Sequence, residues 1–171
     1  MDYKKLTEYI KLIIEAHQEK ALKPENALRT FPSGESNPYF THSLWCAMTI
    51  LLETKLPESI RLPGSEALLF HDVLEDTSAK LPTDLSQEVK DLVQSMTFDD
   101  FHKEVKETLA KPPINQLLKL YDKTATLYDG VVKNKVGKEW YDYLQNLVIN
   151  VEKEYGELNI VLLAKTLLEN R

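Results

Sequence analysis

Apolar residues recur at helical spacing along most of this chain. In residues 2–20, for example, Leu6, Ile10 and Ile13 lie three or four positions apart, which places them on one face of an amphipathic helix. The same spacing predicts further helices over residues 41–53, 65–77, 84–93, 98–109, 114–133 and 138–155, and a last helix that ends near residue 168. No segment alternates polar and apolar residues in the manner of a half-buried strand. The sequence therefore predicts an all-α fold without β-strands.

Capping residues and helix breakers set the predicted boundaries. Ser65 is suited to the N-cap of the helix that follows it, and Thr83 or Asp84 is suited to cap the next one. Residues 21–40 show no sustained period and contain several helix breakers, namely Pro24, Pro32, Gly34 and Pro38. We predict an ordered loop of about twenty residues there, and a loop of that length suggests a functional role such as a lid.

Length and composition limit the class of protein. A chain of 171 residues with 43% hydrophobic residues is most simply one domain, residues 1–171, that buries its own core. The net charge of −6 argues against a nucleic-acid binder, and no apolar run reaches the ~20 residues needed to span a membrane. Cys46 is the single cysteine. It excludes an internal disulfide and a cysteine-based zinc module, so we expect a cytoplasmic protein.

The stretch 65–77, which reads SEALLFHDVLEDT, gathers the ionisable residues that are most suggestive of chemistry. His71, Asp72, Glu75 and Asp76 follow an apolar run closely. Carboxylates this near to each other repel and need a compensating cation. We therefore predict a metal held by His71 and Asp72, with Glu75 and Asp76 left for proton transfer. A hydrogen-bonded core histidine and a solvated helix C-terminus are the plainer alternatives.

A metal site on helices needs ligands from more than one element, and His42 and Asp122 are the best additional candidates. His42 lies at the start of the predicted helix 41–53, and Asp122 lies within the apolar pattern of residues 114–133. Two imidazoles and two carboxylates form a mixed nitrogen and oxygen set that suits one divalent ion. We expect Mn²⁺ first, with Fe²⁺, Co²⁺, Ni²⁺ and Zn²⁺ as alternatives.

The order of these residues resembles that of the HD-domain metal-dependent phosphohydrolases. The run HDVLEDT at residues 71–77 is similar to the HDxxED motif of the RelA/SpoT-type (p)ppGpp hydrolases. Three flanking segments resemble the same branch: PYFTH at 38–42, VKDLVQSMT at 89–97 and KLYDK at 119–123. The resemblance covers most of residues 16–130. It implies a helical HD-type domain with metal ligands and catalytic residues at the positions already singled out, His42, His71, Asp72 and Asp122 for the metal and Glu75 and Asp76 for catalysis.

The sequence also departs from that branch. Thr126 stands where the last motif of the family has an asparagine, and the segment before His42 is longer and lacks the usual adjacent basic residues. The substrate-binding candidates are therefore Thr126 together with four cations, Lys20, Arg29, Lys119 and Lys123. Each cation taken alone is more typical of a solvated surface. These departures weaken the assignment to (p)ppGpp more than the assignment to phosphate chemistry.

We therefore expect a metal-dependent phosphohydrolase whose partner is a small phosphorylated substrate, a nucleotide, with no nucleic acid and no membrane involved. The oligomeric state is left open. The specific hypothesis is removal of the 3′-diphosphate from a (p)ppGpp-like nucleotide. Two alternatives remain. One is a phosphomonoesterase acting on a nucleoside monophosphate or another small phosphate. The other is a non-catalytic nucleotide-binding module, against which the Glu75–Asp76 pair argues, since pure binding needs no acid–base pair.

Overall fold

Helices form most of the computed structural model, which describes residues 3–130 and 137–170. They are α1 (Tyr3–Glu19), α2 (Phe40–Leu51), α3 (Glu58–Phe70), α4 (Val73–Asp76), α5 (Gln87–Met96), α6 (Phe101–Thr108), α7 (Pro113–Tyr128), α8 (Lys138–Tyr155) and α9 (Asn159–Glu169). The predicted all-α class is thereby confirmed. None of the helices in these two stretches combines the length and the apolar character that crossing a bilayer requires.

The core lies where α2, α3 and α7 meet, with α8 and α9 packed on the far side of α7. Each of these three central helices contributes a fully buried aliphatic side chain, Ile50, Leu68 and Leu118. Gly64 lets α3 approach the other two, because an added Cβ would stand 2.9 Å from Ile50 Cδ1 and 3.2 Å from Leu118 Cδ2. The candidate site forms where the start of α2 and the end of α3 meet the middle of α7.

The start of α3 differs from the prediction. The helix begins at Glu58, and Pro63 lies inside it rather than before it. Ser65 is not an N-cap, since its buried hydroxyl donates to the carbonyl of Ala47 at 2.9 Å. Burial of this segment against α2 therefore overrides the helix-breaking tendency of proline.

The predicted helix over residues 65–77 is also divided. The helix α3 ends at Phe70 and α4 begins at Val73, while Asp72 between them has φ −91° and ψ −8°. Those angles depart from α-helical values. His71 and Asp72 consequently lie at a turn between two helices, and the prediction of one continuous helix over residues 65–77 is wrong.

The connection over residues 21–40 is ordered, as predicted, but it is not free of strands. A 3₁₀ helix (Pro24–Asn26) is followed by an antiparallel pair, β1 (Leu28–Thr30) and β2 (Ser36–Pro38), in which Arg29 faces Asn37. Strands of three residues are too short to produce a visible alternation, which is why the sequence pattern missed them.

Smaller differences concern the ends of other helices. The N-cap of α5 is Ser86, whose Oγ accepts from Val89 N at 3.2 Å, and not Thr83 or Asp84. The helix α7 ends at Tyr128, five residues before the predicted end, and residues 131–133 of that prediction lie outside the described part of the chain.

One long-range contact generates a test of this packing. Glu53, which follows α2 and is 1% exposed, accepts a hydrogen bond from the first backbone N–H of α9, that of Asn159, at 2.6 Å. We expect Glu53→Ala to lower the free energy of unfolding by about 1–3 kcal/mol in urea titrations, because a helix N-terminus loses its buried acceptor. Glu58→Ala is the control, since the Glu58 side chain is 79% exposed. Equal effects of the two variants would contradict the capping role.

Candidate metal centre

Four side chains predicted as metal ligands converge at the end of the core. His42 comes from the first turn of α2, Asp122 from the middle of α7, and His71 and Asp72 from the turn between α3 and α4. All four are buried, with exposed fractions from 1% to 7%. The sharp turn after Phe70 matters here, because it presents two adjacent residues toward side chains from two other helices.

The ligand atoms of His42, His71 and Asp72 all lie within 4.8 Å of one another, which suits a shared cation, and an oxygen of Asp122 lies near both histidines. Nε2 of His42 lies 3.3 Å from Oδ1 of Asp122, and Nε2 of His71 lies 3.2 Å from Oδ2 of Asp72. The cross distances are similar: 3.9 Å from His42 Nε2 to Asp72 Oδ2 and 3.8 Å from His71 Nε2 to Asp122 Oδ1. Ligand atoms that each lie ~2.1 Å from one ion are separated by roughly 3–3.5 Å.

The hydrogen bonding of His71 makes the case for a cation stronger. Its Nδ1 lies 2.7 Å from the carbonyl oxygen of Leu68 and must donate, because a carbonyl can only accept. In the neutral ring Nε2 then carries a lone pair, and this nitrogen and the facing Oδ2 of Asp72 are buried without a hydrogen-bond partner within the described ranges. Two buried acceptors that face each other need a positive charge between them. The residues therefore fit a divalent metal.

The charges of the site agree with this arrangement. Burial disfavours the imidazolium, but the carboxylates of Asp72 and Asp122 outweigh it and raise the pKa of His71 to about 9. Burial also opposes ionisation of Asp122, yet Lys123 and Lys119 hold the pKa of this carboxyl group well below its usual range. In the metal-free protein a proton on His71 thus occupies the place that a divalent cation would take.

Glu75 and Asp76 stand beside the ligands on α4, and both bind parts of the chain that are distant in sequence. Glu75 Oε1 accepts from the backbone N–H of Phe98 at 2.5 Å, and Asp76 Oδ1 accepts from the side-chain amide of Asn26. Burial, with a further contribution from the Asp72 carboxylate, raises the pKa of Glu75 to about 7, and the same causes raise the pKa of Asp76 to about 7. Groups that titrate near neutrality can accept or release a proton under physiological conditions.

Two lysines lie beside Asp122, the fourth predicted ligand. Lys119 Nζ lies 3.2 Å from Asp122 Oδ2 and 3.3 Å from Glu104 Oε2, and Lys123 Nζ lies 3.1 Å and 2.9 Å from oxygens of the same two carboxylates. Glu104, on α6, is 6% exposed and was not predicted from the sequence. Nothing in its local pattern distinguishes it from a surface glutamate, so only its burial identifies it.

The ligands open onto a cleft of about 660 Å³. Its lining includes the predicted metal ligands His42, Asp72 and Asp122, both acidic residues of α4, and four predicted substrate-binding residues, Arg29, Lys119, Lys123 and Thr126. Lys20 does not line this cleft, because its exposed side chain pairs with Glu15 at 2.5 Å. The structure thus brings together all predicted site residues except Lys20.

Arg29 is buried rather than solvated, with 7% of it exposed. Its Nε and Nη2 lie 3.1 Å and 2.8 Å from Oδ2 of Asp129, and its guanidinium lies 5.2 Å from the centre of the Tyr39 ring.

Of the two remaining histidines, His17 is buried and His102 is exposed with Glu139 at 3.4 Å.

The raised pKa of Glu75 generates a stability prediction for the metal-free protein. Because the folded state binds this proton more tightly than the unfolded state, the Glu75 contribution to stability is largest below about pH 4.5 and declines as the pH rises to about 7. Glu75→Gln keeps an acceptor for Phe98 N but does not ionise. We expect the variant to match the wild type at pH 4 and to be more stable by about 1–3 kcal/mol at pH 8.

Urea unfolding across this pH range in the presence of a chelator measures the difference. The matched control is Glu154→Gln on the exposed side of α8, which should show no comparable gain at high pH. The difference in free energy of unfolding between the wild type and Glu75→Gln should change between pH 4 and pH 8. A constant difference would argue against a buried, destabilised carboxylate at position 75.

The whole fold is similar to a known structure. The solved structure of a metazoan SpoT orthologue, which hydrolyses ppGpp and plays a role in starvation responses, superposes with a TM-score of 0.72 at 20% sequence identity, covering 98% of this chain and 95% of that one. No protein-family model matches the sequence, and neither does any curated protein. The resemblance inferred from the HDVLEDT motif is therefore confirmed at the level of the fold: the chain has the helical architecture of a ppGpp hydrolase.

Proposed function

We propose that this protein is a metal-dependent phosphohydrolase that acts on a nucleotide. The observation that carries the proposal is the convergence of His42, His71, Asp72 and Asp122 beside a cleft shared with Glu75 and Asp76. Within it, His71 Nε2 and Asp72 Oδ2 face each other as buried atoms without a hydrogen-bond partner among the described residues. The fold of a ppGpp-hydrolysing protein supports the same chemistry. The finer proposal is removal of the 3′-diphosphate from a (p)ppGpp-like nucleotide.

The four ligands would hold one divalent ion. Their mixed imidazole and carboxylate set suits Mn²⁺, which is the first expectation, as well as Fe²⁺, Co²⁺, Ni²⁺ and Zn²⁺. Such an ion lowers the pKa of water toward neutrality and polarises a phosphoryl oxygen. The tautomer of His71 is already fixed by the Leu68 carbonyl, so Nε2 is oriented for a cation before one arrives. This preorganisation keeps the ligand geometry independent of the substrate.

Glu75 and Asp76 would divide the proton transfers between them. Glu75 accepts a proton from the attacking water as the new P–O bond forms, and Asp76 gives a proton to the oxygen that leaves when the old P–O bond breaks. Both groups have a pKa near 7, so the base and the acid form are each populated at neutral pH. Their separate anchors, Phe98 N and Asn26, hold the two carboxyl groups in distinct orientations.

The cations of the cleft would meet phosphate oxygens, but each is already paired with a carboxylate. Arg29 pairs with Asp129. Lys119 and Lys123 each pair with both Glu104 and Asp122. A highly charged bis-diphosphate therefore gains less from these groups than it would from free cations. This observation favours the phosphomonoesterase as the second candidate function, with a nucleoside monophosphate or another small phosphate as substrate.

A panel of substrates incubated with Mn²⁺ separates the candidates. We expect hydrolysis of ppGpp to give pyrophosphate and GDP in equal amounts, measured by anion-exchange chromatography. Orthophosphate from GMP or p-nitrophenyl phosphate, with ppGpp left intact, would replace the finer proposal with the phosphomonoesterase. The protein would be a non-catalytic nucleotide-binding module if it bound nucleotide but hydrolysed none of these compounds with any of the five divalent ions named above.

Two substitutions separate metal binding from proton transfer. We expect His71→Ala to lose both the stoichiometric metal and the activity, because it removes a buried ligand. Glu75→Gln should retain the metal and lower kcat by roughly 10²–10⁴-fold, the range for removal of a general base. Metal content by atomic emission, measured beside kcat, is the test. Loss of the metal in Glu75→Gln would show that position 75 is a ligand rather than a base.

A further inference from the structure

Asn26 is a buried amide that reaches the site from outside the motif. It lies at the end of the 3₁₀ helix Pro24–Asn26 and is 8% exposed. Its Nδ2 donates to Oδ1 of Asp76, across 50 positions of sequence. The resemblance drawn from the sequence assigns no role to this residue, which lies in the connection that is longer than in the related branch.

The position of Asn26 is itself fixed by buried groups. Its backbone carbonyl oxygen lies 2.9 Å from Nδ1 of His17, which must donate to it. His17 is fully buried and stacks on Tyr39 with ring centroids 4.9 Å apart and an interplanar angle of 21°. The donor that faces Asp76 is therefore held by α1 and cannot swing away without breaking a buried contact.

The backbone ties the same segment to α4. Leu22 N donates to the carbonyl of Asp76 at 2.8 Å, and Ser78 N donates to the carbonyl of Lys20 at 2.9 Å. These bonds form a short antiparallel bridge between the two chain segments. Main chain and side chain of Asp76 are thus both held by residues 20–26, which argues that this part of the connection is a support rather than a moving lid.

An amide N–H can donate to a carboxylate but cannot itself take up or release a proton at neutral pH. A donor of this kind orients the carboxyl group that it binds and favours the charged form of that group. Its effect on a reaction is then exerted entirely through its partner.

We propose that Asn26 is a positioning residue, which holds the Asp76 carboxyl group in the orientation that proton transfer to the leaving oxygen requires. The inference rests on the proposed function, since it assigns Asn26 a part in that reaction. It also predicts that substitutions at positions 26 and 76 are not independent.

A measurement on the metal-free protein tests the contact without any turnover. The side-chain carboxyl carbon of Asp76, followed by ¹³C NMR, should titrate at higher pH in Asn26→Ala and higher still in Asn26→Asp, because a donor is lost and then replaced by a like charge. The control is Asn146→Ala, an asparagine on the exposed side of α8. An unchanged Asp76 titration in both variants at position 26 would overturn the proposal.

A double-mutant cycle on the Mn²⁺-loaded protein tests the catalytic part, with ppGpp or whichever panel substrate is hydrolysed fastest. We expect Asn26→Ala to lower kcat about tenfold with little change in KM, and to have no further effect in the Asp76→Asn background. A merely structural role would lower kcat by the same factor in both backgrounds, and that result would overturn the inference while leaving the proposed function intact. Absence of turnover by the wild type would overturn the proposed function, and the role of Asn26 in the reaction with it.

Discussion

The mutual repulsion of buried acceptors is the constraint around which this structure is organised. The Nε2 atoms of His42 and His71 each lie 3.2–3.9 Å from an oxygen of Asp72 and from an oxygen of Asp122, in a buried place. Such a group is stable only with a positive charge among its members, whether a proton or a metal ion. These side chains come from α2, α7 and the turn after α3, three elements that pack against one another, with Gly64 allowing a close approach to Ile50 and Leu118. The fold therefore sets the positions of the four side chains, and their charges favour a bound proton or metal ion.

A second layer of charge surrounds the ligands. Lys119, Lys123 and Glu104 form a buried network around Asp122, and the Arg29–Asp129 pair lies on another side of the same cleft. Despite burial, Lys123 and Lys119 hold the pKa of Asp122 below its usual range, which favours the carboxylate form that a metal ion would need. The same pairing leaves little uncompensated positive charge for a polyanionic substrate. In the proposed function, a bound metal ion would therefore supply most of the attraction of this cleft to phosphate.

The long connection before α2 has a part in this arrangement. Its 3₁₀ helix and its bridge to α4 place Asn26 and Tyr39 around Asp76, while its strand β1 places Arg29 in the cleft. An irregular segment held at both ends by backbone hydrogen bonds can support side chains as firmly as a helix does. The Glu75 and Asp76 carboxyl groups are thus supported on one side by Asn26, near the start of the chain, and on the other by Phe98, just before α6.

Periodicity by itself determined the all-α class and most of the helices, because burying one helical face imposes a regular spacing on apolar residues. The compact HDVLEDT motif likewise indicated a candidate metal site, since such a site requires particular side chains whatever surrounds them. Only the tertiary structure decided that α3 runs through Pro63 and breaks at Asp72. It alone also showed that Lys20 lies apart and that Glu104 and Asn26 belong to the site. Those features depend on contacts between residues far apart in sequence, which no local pattern records.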